Sequence, residues 1–334
     1  MSDNTKPSPA TIAVQRVYRM LLKRDPDAAG LAYHAAVFEK SGDILEVVAA
    51  LTASSEFTGQ HDEASAGGPA SADVIETVPI NRPITIVDIG AQRLSDQPHA
   101  YDVLTHRGFD LSIVGFEPLT ERLDDRRCAE ADLNLTLLPD FIGDGSQRTF
   151  HINNYDATSS LFPFNSALTE QFVELKDLHT VSTRTVQTRQ LDDILPRKDH
   201  VDFLKLDIQG FELEALRGAE SLLQRTSVIH CEVSFAEIYE RQCLFSEIET
   251  FLRDRGFDFI DLVHPHRGGY VVPSGRVVGD RLLWADAVFF RRTEALTPEA
   301  RQVQAMIALY VYGKSGFAER LLVSPAPIDM ASTC

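Results

Sequence analysis

A chain of 334 residues that is 44% hydrophobic has room for one large core or two modest ones, and that apolar content excludes a disordered scaffold. With 49 acidic against 32 basic residues it carries a formal charge of −17, at odds with a surface built to follow phosphate backbones or anionic lipid, so nucleic acid is not expected as a substrate. Its four cysteines, Cys128, Cys231, Cys243 and Cys334, form no C-x-x-C pair, which argues against a zinc ribbon or a disulfide-stapled secreted fold and fits a reducing cytoplasm.

No apolar leader follows Met1 and no apolar run reaches bilayer length, so any membrane association is expected to be peripheral. Residues 10–57 read as helices. Val14, Val17, Tyr18, Leu21 and Leu22 recur at helical spacing, Asp25-Pro26 offers an N-cap and first-turn proline to a second helix, and Gly42-Asp43 breaks that helix. The run from Val17 to Tyr33, followed by Ala53-Ser-Ser-Glu-Phe57, resembles a small helical bacterial domain that recurs in surface-layer, toxin-like and glycosylation-associated proteins. That resemblance names no chemistry; such a domain is expected to dock a protein partner or the acceptor. Residues 58–83 are small and polar without apolar periodicity, as in a linker.

Beyond the linker, β-branched runs near 84–89, 111–116, 135–139, 201–207, 227–233, 257–263 and 284–291 alternate with helical patterns near 98–107, 119–130, 211–223 and 245–255. This alternation predicts an α/β fold with a parallel sheet. The last two strands lack a helix between them, so the final strand is expected to run antiparallel. Thr297-Pro298-Glu299 opens a further helical region, whose Met306, Ile307, Leu309 and Tyr310 stripe reads as a packing face. The expected division is a helical domain over 1–57, a linker over 58–83, a catalytic domain over 84–293 and a helical extension over 294–334.

In an open parallel sheet, ligands bind outside the carboxyl ends of the strands where the strand order reverses. The first strand ends in Asp88-Ile-Gly90-Ala91, where glycine lets the backbone pass close to a ligand. The second ends in Glu117-Pro118, an acid placed to accept both ribose hydroxyls and a proline that stops the strand. Asp140 and Phe141, after the third strand, join this candidate cofactor set, and Asp88 is expected near an ammonium group. A dinucleotide fingerprint needs G-x-G-x-x-G, but Gly90-Ala-Gln-Arg-Leu-Ser-Asp holds one glycine. NAD, and with it a sugar oxidoreductase, is disfavoured; the diphosphate-free S-adenosylmethionine is the expected cofactor.

The segments Val87-Asp-Ile-Gly-Ala91, Gly115-Phe-Glu-Pro118, Thr188-Arg-Gln-Leu-Asp-Asp-Ile194, His230-Cys-Glu-Val233 and above all Lys205-Leu-Asp-Ile-Gln-Gly-Phe-Glu212 resemble the FkbM family of S-adenosylmethionine-dependent O-methyltransferases. The resemblance runs from Ile84 to Arg291. It implies a Rossmann-like class I methyltransferase sheet of seven strands, and methyl transfer to a hydroxyl of a sugar, glycan, lipid-linked glycan or polyketide. Gln92-Arg93-Leu94 departs from the family, which usually has Asn and a second glycine there.

Methyl transfer from a sulfonium requires alignment of a nucleophilic oxygen and removal of one proton. Asp207, Gln209 and Glu232 fall at adjacent strand ends. Lys205 shares a strand face with Asp207, so a Lys205–Glu232 pair across neighbouring strands is expected, with Asp207 as base or cofactor anchor and Gln209 in the cofactor set. Glu212 and Glu214 favour a helix N-terminus. His264-Pro-His266-Arg267 is expected as a loop on the acceptor side, with His264 a candidate base; its two histidines make a poor metal site, and no metal is expected. Tyr155-Asp-Ala-Thr-Ser-Ser160-Leu-Phe-Pro-Phe164 is either an acceptor wall or a packed edge hairpin. The competing expectation is a cofactor-binding but inactive module that assembles a surface-glycan machinery.

Overall fold

The structure is a computed structural model that describes residues 10–11, 14–15, 17–18, 26–41, 47, 51, 80–93, 98–130, 133–195 and 200–323. The chain divides into two compact units, Met1–Asp73 and Val74–Cys334. In the first, helix α1 (Ala28–Ser41) is capped by Asp27, whose Oδ1 accepts the N–H of Gly30 at 2.7 Å. The cap thus lies two residues after the expected Asp25, which is outside the described residues. Val14, Val17, Tyr18, Val47 and Leu51 form a buried cluster against which Leu31, Ala35 and Phe38 pack. The expected break at Gly42-Asp43, the segment Ala53 to Phe57, and most of the linker lie outside the described residues.

The second unit is built on β1 (Ile84–Ile89), β2 (Leu111–Phe116), β3 (Asn134–Leu138), β4 (Phe141–Ile142), β5 (Gln147–Asn153), β6 (Thr180–Arg189), β7 (Val201–Leu206), β8 (Thr226–Ser234), β9 (Phe257–Gly269) and β10 (Gly279–Arg291). Seven strands form one sheet in the order β3-β2-β1-β7-β8-β10-β9, parallel except for β10, which runs antiparallel to both neighbours. The expected seven-stranded α/β sheet with a reversed last strand is present. The order reverses between β1 and β7, the switch point at which ligands bind in such sheets.

Strand alternation sorts the core into two layers. Val87, Ile89, Leu204, Leu206, Ile229, Cys231 and Phe289 face one side, against α4 (Glu212–Arg217) and α5 (Phe245–Arg253). Ile84, Ile86, Ile113, Phe203, Val228 and Phe290 face the other, near α2 (Asp102–His106) and below α6 (Pro298–Tyr310) and α7 (Ser315–Val323). Helix α3 (Thr120–Ala129) follows β2. Met306 and Ile307 of α6 are fully buried on the sheet, so the helices after residue 294 contribute to the same core.

Three features differ from expectation. The helix expected over 211–223 is broken by Gly218-Ala219 into α4 and a turn at Glu220–Leu223. A separate three-stranded sheet, β4-β6-β5, grows from the stretch after β3. Strand β9 continues to Gly269, so His264-Pro-His266-Arg267 belongs to a strand rather than a loop. Proline is tolerated there because β9 is the outermost strand of the sheet.

Candidate active site

At the end of β1, Gly90 has φ of +78°, and a Cβ built on it would lie 1.8 Å from the backbone oxygen of Asp207. Only glycine fits, on both grounds, and the contact draws the end of β1 against the end of β7. The next turn, Asp207-Ile-Gln-Gly210, is strained: Gln209 holds φ of 57° and Gly210 98°. A left-handed non-glycine residue costs on the order of 1 kcal/mol. Glu212 braces it, accepting the N–H groups of Ile208 (2.9 Å) and Gly210 (3.2 Å), while Ser160 Oγ donates to the Gln209 carbonyl at 2.6 Å. Burial lifts the Glu212 carboxyl to about 7, with Asp207 adding to the rise.

Beneath this turn lies a buried ionic network. The Asp88 carboxylate receives the Tyr101 hydroxyl at 2.7 Å and Arg126 Nη1 at 2.8 Å, and Lys205 Nζ stands 3.5 Å away. Arg126 also donates to the Ala91 carbonyl at 2.9 Å and to Glu130 at 3.1 Å. Burial works against the Asp88 charge, yet Lys205, His99 and Arg126 hold it well below the usual carboxylate range. Burial likewise works against Lys205, which Asp88 and Asp207 nevertheless keep firmly protonated.

Above the network opens a cavity of about 320 Å³. Its lining follows the sheet order at the strand ends: Asp140 and Phe141 after β3, Glu117 and Pro118 after β2, Gly90 after β1, Asp207 and Gln209 after β7, Glu232 on β8 and Trp284 on β10. Five carboxyl side chains, Glu117, Asp140, Asp156, Asp207 and Glu232, line it, and among the described residues no lysine, arginine or histidine does, although Arg189, Arg122 and Lys205 pair with Asp140, Asp156 and Asp207 from outside the lining. Burial, with Asp88 and Asp156 adding to it, lifts Glu117 to about 7 although its Oε1 accepts the Leu119 N–H at 2.8 Å. Burial and the neighbouring Asp207, Glu212 and Asp286 push Glu232 well above the usual range, which favours its neutral form. Gln209 Nε2 donates to both Asp207 Oδ1 and Glu232 Oε2 at 3.0 Å, tying the two acids together.

Of the residues singled out in the sequence, Gly90, Glu117, Pro118, Asp140, Phe141, Asp207, Gln209 and Glu232 meet on this cavity, whereas Asp88, Ala91, Lys205 and His264 lie outside its lining. Asp88, expected near the ammonium group of the cofactor, is wholly buried in the network below, beside the Lys205 ammonium. The expected Lys205–Glu232 pair gives way to ion pairs of Lys205 with Asp88 and Asp207, both at 3.5 Å. The register explains this: Lys205 sits opposite His230, two residues short of Glu232, which faces Asp286 on β10. His264 is three-quarters exposed on β9, its Nδ1 2.9 Å from Asp286 Oδ2.

Residues 155–164 do form a wall. Tyr155 to Leu161 and Phe164 line the cavity, and Phe162 and Phe164 pack with Phe172, Leu175, Ile238 and Tyr239. Tyr239 was not legible as a site residue. Its hydroxyl lies 2.8 Å from the Thr158 carbonyl oxygen and 2.9 Å from Gln209 Oε1, closing the wall onto the strained turn. Gln242 and Trp284 also went unseen; Trp284 is opposite Ser234 on β8, and both line the cavity. Strand pairing reveals Trp284, and the loop after β8, folded back so that Gln242 Nε2 donates to Ser234 Oγ at 2.7 Å, reveals Gln242. Of Gln92 and Arg93, where the family resemblance falters, Gln92 lines the cavity and Arg93 pairs with Glu130.

No curated protein matches the chain. Among solved structures it is similar to methyltransferase FkbM from Methylobacillus flagellatus KT, at 17% identity over 82% of this chain with a TM-score of 0.38. The match spans 58% of that protein's length. A TehB-like SAM-dependent methyltransferase from Corynebacterium glutamicum matches at 12% identity over 70% of this chain and 95% of its own, with a TM-score of 0.31. The 23S rRNA methyltransferase ErmE matches at 8% identity over 75% and 81% of the two chains, with a TM-score of 0.30. The model of the methyltransferase FkbM domain matches residues 88–259, which begin at the carboxyl end of β1, contain the strained turn and Glu232, and make up just over half of the chain. The chain belongs to the FkbM methyltransferase family.

Proposed function

We propose that the protein transfers the methyl group of S-adenosylmethionine to a hydroxyl oxygen of a sugar, glycan or lipid-linked glycan. The observation that carries this reading is the lining of the cavity: among the described residues it holds five carboxyls and no basic side chain, with Arg189, Arg122 and Lys205 pairing from outside the lining with Asp140, Asp156 and Asp207. Such a lining opposes a diphosphate cofactor and favours a cationic sulfonium. When bound, the cofactor supplies an electrophilic methyl group. Glu117, through its carboxylate, would hold the ribose hydroxyls, Asp140 and Phe141 would border the base, and Gly90 would let the backbone approach the ligand. Asp88 and Lys205 act from below as positioning residues.

Asp207 is the proton acceptor in this scheme. Its side chain is 40% exposed at the cavity, fixed by Lys205 on one oxygen and by Gln209 on the other. Burial favours neutral Glu232, a form with no free carboxylate to accept the proton. Among the described residues no basic side chain lines the cavity, so the phosphates of a nucleic acid would meet no cation facing them there. Arg93 pairs with Glu130 outside the cavity lining, so within the described residues the inactive-module reading rests on Gln92, which lines the cavity. The N-terminal helices would dock a protein partner or the acceptor, and the reaction would take place in the cytoplasm. The test is methyl transfer with Asp207→Asn: turnover should fall by about 100-fold or more, a usual size for loss of a general base, with cofactor binding retained. Unchanged turnover would reject the role.

A further inference from the structure

Strands β9 and β10 run on past the point where Trp284 pairs with Ser234, the last residue of β8. Their hairpin therefore projects beyond the neighbouring strand by about five residues, roughly 15 Å at strand rise. Its tip is Tyr270 to Val278. The turn is closed by the Gly275 N–H on the Val272 carbonyl at 3.0 Å, with Pro273 fixing the backbone and Gly275 at φ of +68°. Three of the seven exposed large apolar side chains among the described residues stand here: Val271 (49% exposed), Val272 (40%) and Val277 (59%). Buried packing does not explain them. The tip carries one arginine, Arg276, and no acid, in a chain whose net charge is −17; Arg267, Asp280 and Arg281 lie in the paired strands below it.

We propose that this tip docks on an anionic lipid surface. An apolar end that carries an arginine, Arg276, combines the two signals that peripheral membrane binding requires, neither of which suffices alone. The whole-chain charge argues against lipid binding only for charges within reach of the bilayer. At physiological salt the Debye length is about 8 Å, so charges on the body, and Arg267 and Arg281 at the hairpin base, are largely screened from a surface touched by the tip, and Arg276 carries the attraction. Each arginine held at such a surface contributes roughly five-fold to partitioning. The hairpin is joined to the cavity wall: the Val271 N–H donates to the Gln171 carbonyl at 2.8 Å, the Val173 N–H to the Gly269 carbonyl at 2.9 Å, and Phe172 packs on Tyr270. Docking would bring that wall toward the membrane, an inference that stands whatever chemistry the cavity performs.

The experiment is co-sedimentation of the full-length protein with vesicles of phosphatidylglycerol and phosphatidylcholine, against phosphatidylcholine alone. Partitioning should appear on the anionic vesicles and fall about five-fold in 0.5 M salt. The double variant Val271→Asp/Val272→Asp should lose about ten-fold and, independently, Arg276→Ala about five-fold, with unchanged thermal melting because these side chains are exposed. Partitioning equal on both lipid compositions, absent altogether, or unaffected in both variants would overturn the proposal. So would a dimer in sedimentation velocity that the valine variant dissolves, which would make the tip a contact between copies of this chain.

Discussion

Near neutral pH the Glu117 carboxyl is at its own midpoint, raised to about 7 from the ordinary carboxylate value chiefly by burial. A carboxyl whose folded pKa exceeds its unfolded one contributes stability that is fully present below about pH 4.5 and lost as pH rises through about 7. Glu117→Gln should therefore be more stable than the parent at pH 8, by up to about 3 kcal/mol, with the difference vanishing near pH 4 in denaturant titrations. If the carboxylate holds the ribose hydroxyls, S-adenosylmethionine binding should tighten between pH 6 and pH 8 in the parent and stay flat in Glu117→Gln. Gly90→Ala makes the opposite kind of change. Its Cβ would collide with the Asp207 carbonyl at 1.8 Å, so destabilisation by several kcal/mol and loss of cofactor binding are expected from melting and titration. Glu117, Gly90 and Asp207 were legible because strand ends are recognisable in a sequence. Tyr239 was not, since its link to Gln209 depends on how a remote loop folds back.

At the scale of elements, α3 is joined to β1 through Arg126, which is wholly buried and donates to Asp88, Ala91, Tyr101 and Glu130. Arg126→Met would leave Asp88 and Glu130 without that partner; removing one member of a buried ionic set typically costs about 3–5 kcal/mol. Urea unfolding should show that loss, and cofactor affinity should fall with it because the Ala91 carbonyl, one residue after Gly90, loses its tether. A loss below about 1 kcal/mol would show that the network is not structural. The seven strands of the main sheet were legible from β-branched runs, as were the helices that cover it. The sheet β4-β6-β5 was not: β6 is exposed at most positions and polar on both faces, so it carries no two-residue apolar alternation. The length of β9 was hidden by Pro265 and Gly268-Gly269, which read as breakers but are accommodated on an edge strand.

For the whole molecule, the two compact units and the burial of α6 and α7 on the sheet set the smallest piece that should carry the site. A chain of residues 74–334 is expected to melt cooperatively and bind S-adenosylmethionine as the full chain does, whereas one ending at residue 293 should not fold, because Val303, Met306 and Ile307 complete the core on one face. Spectroscopic melting of both fragments checks this. The most direct test of the central claim, that the acid-lined cavity takes a sulfonium cofactor, is calorimetric titration of the full chain with S-adenosylmethionine and with NAD, repeated on Glu117→Ala. Binding of S-adenosylmethionine alone, weakened at least about ten-fold in the variant, is the predicted result; binding of NAD, or S-adenosylmethionine affinity indifferent to Glu117, would contradict it.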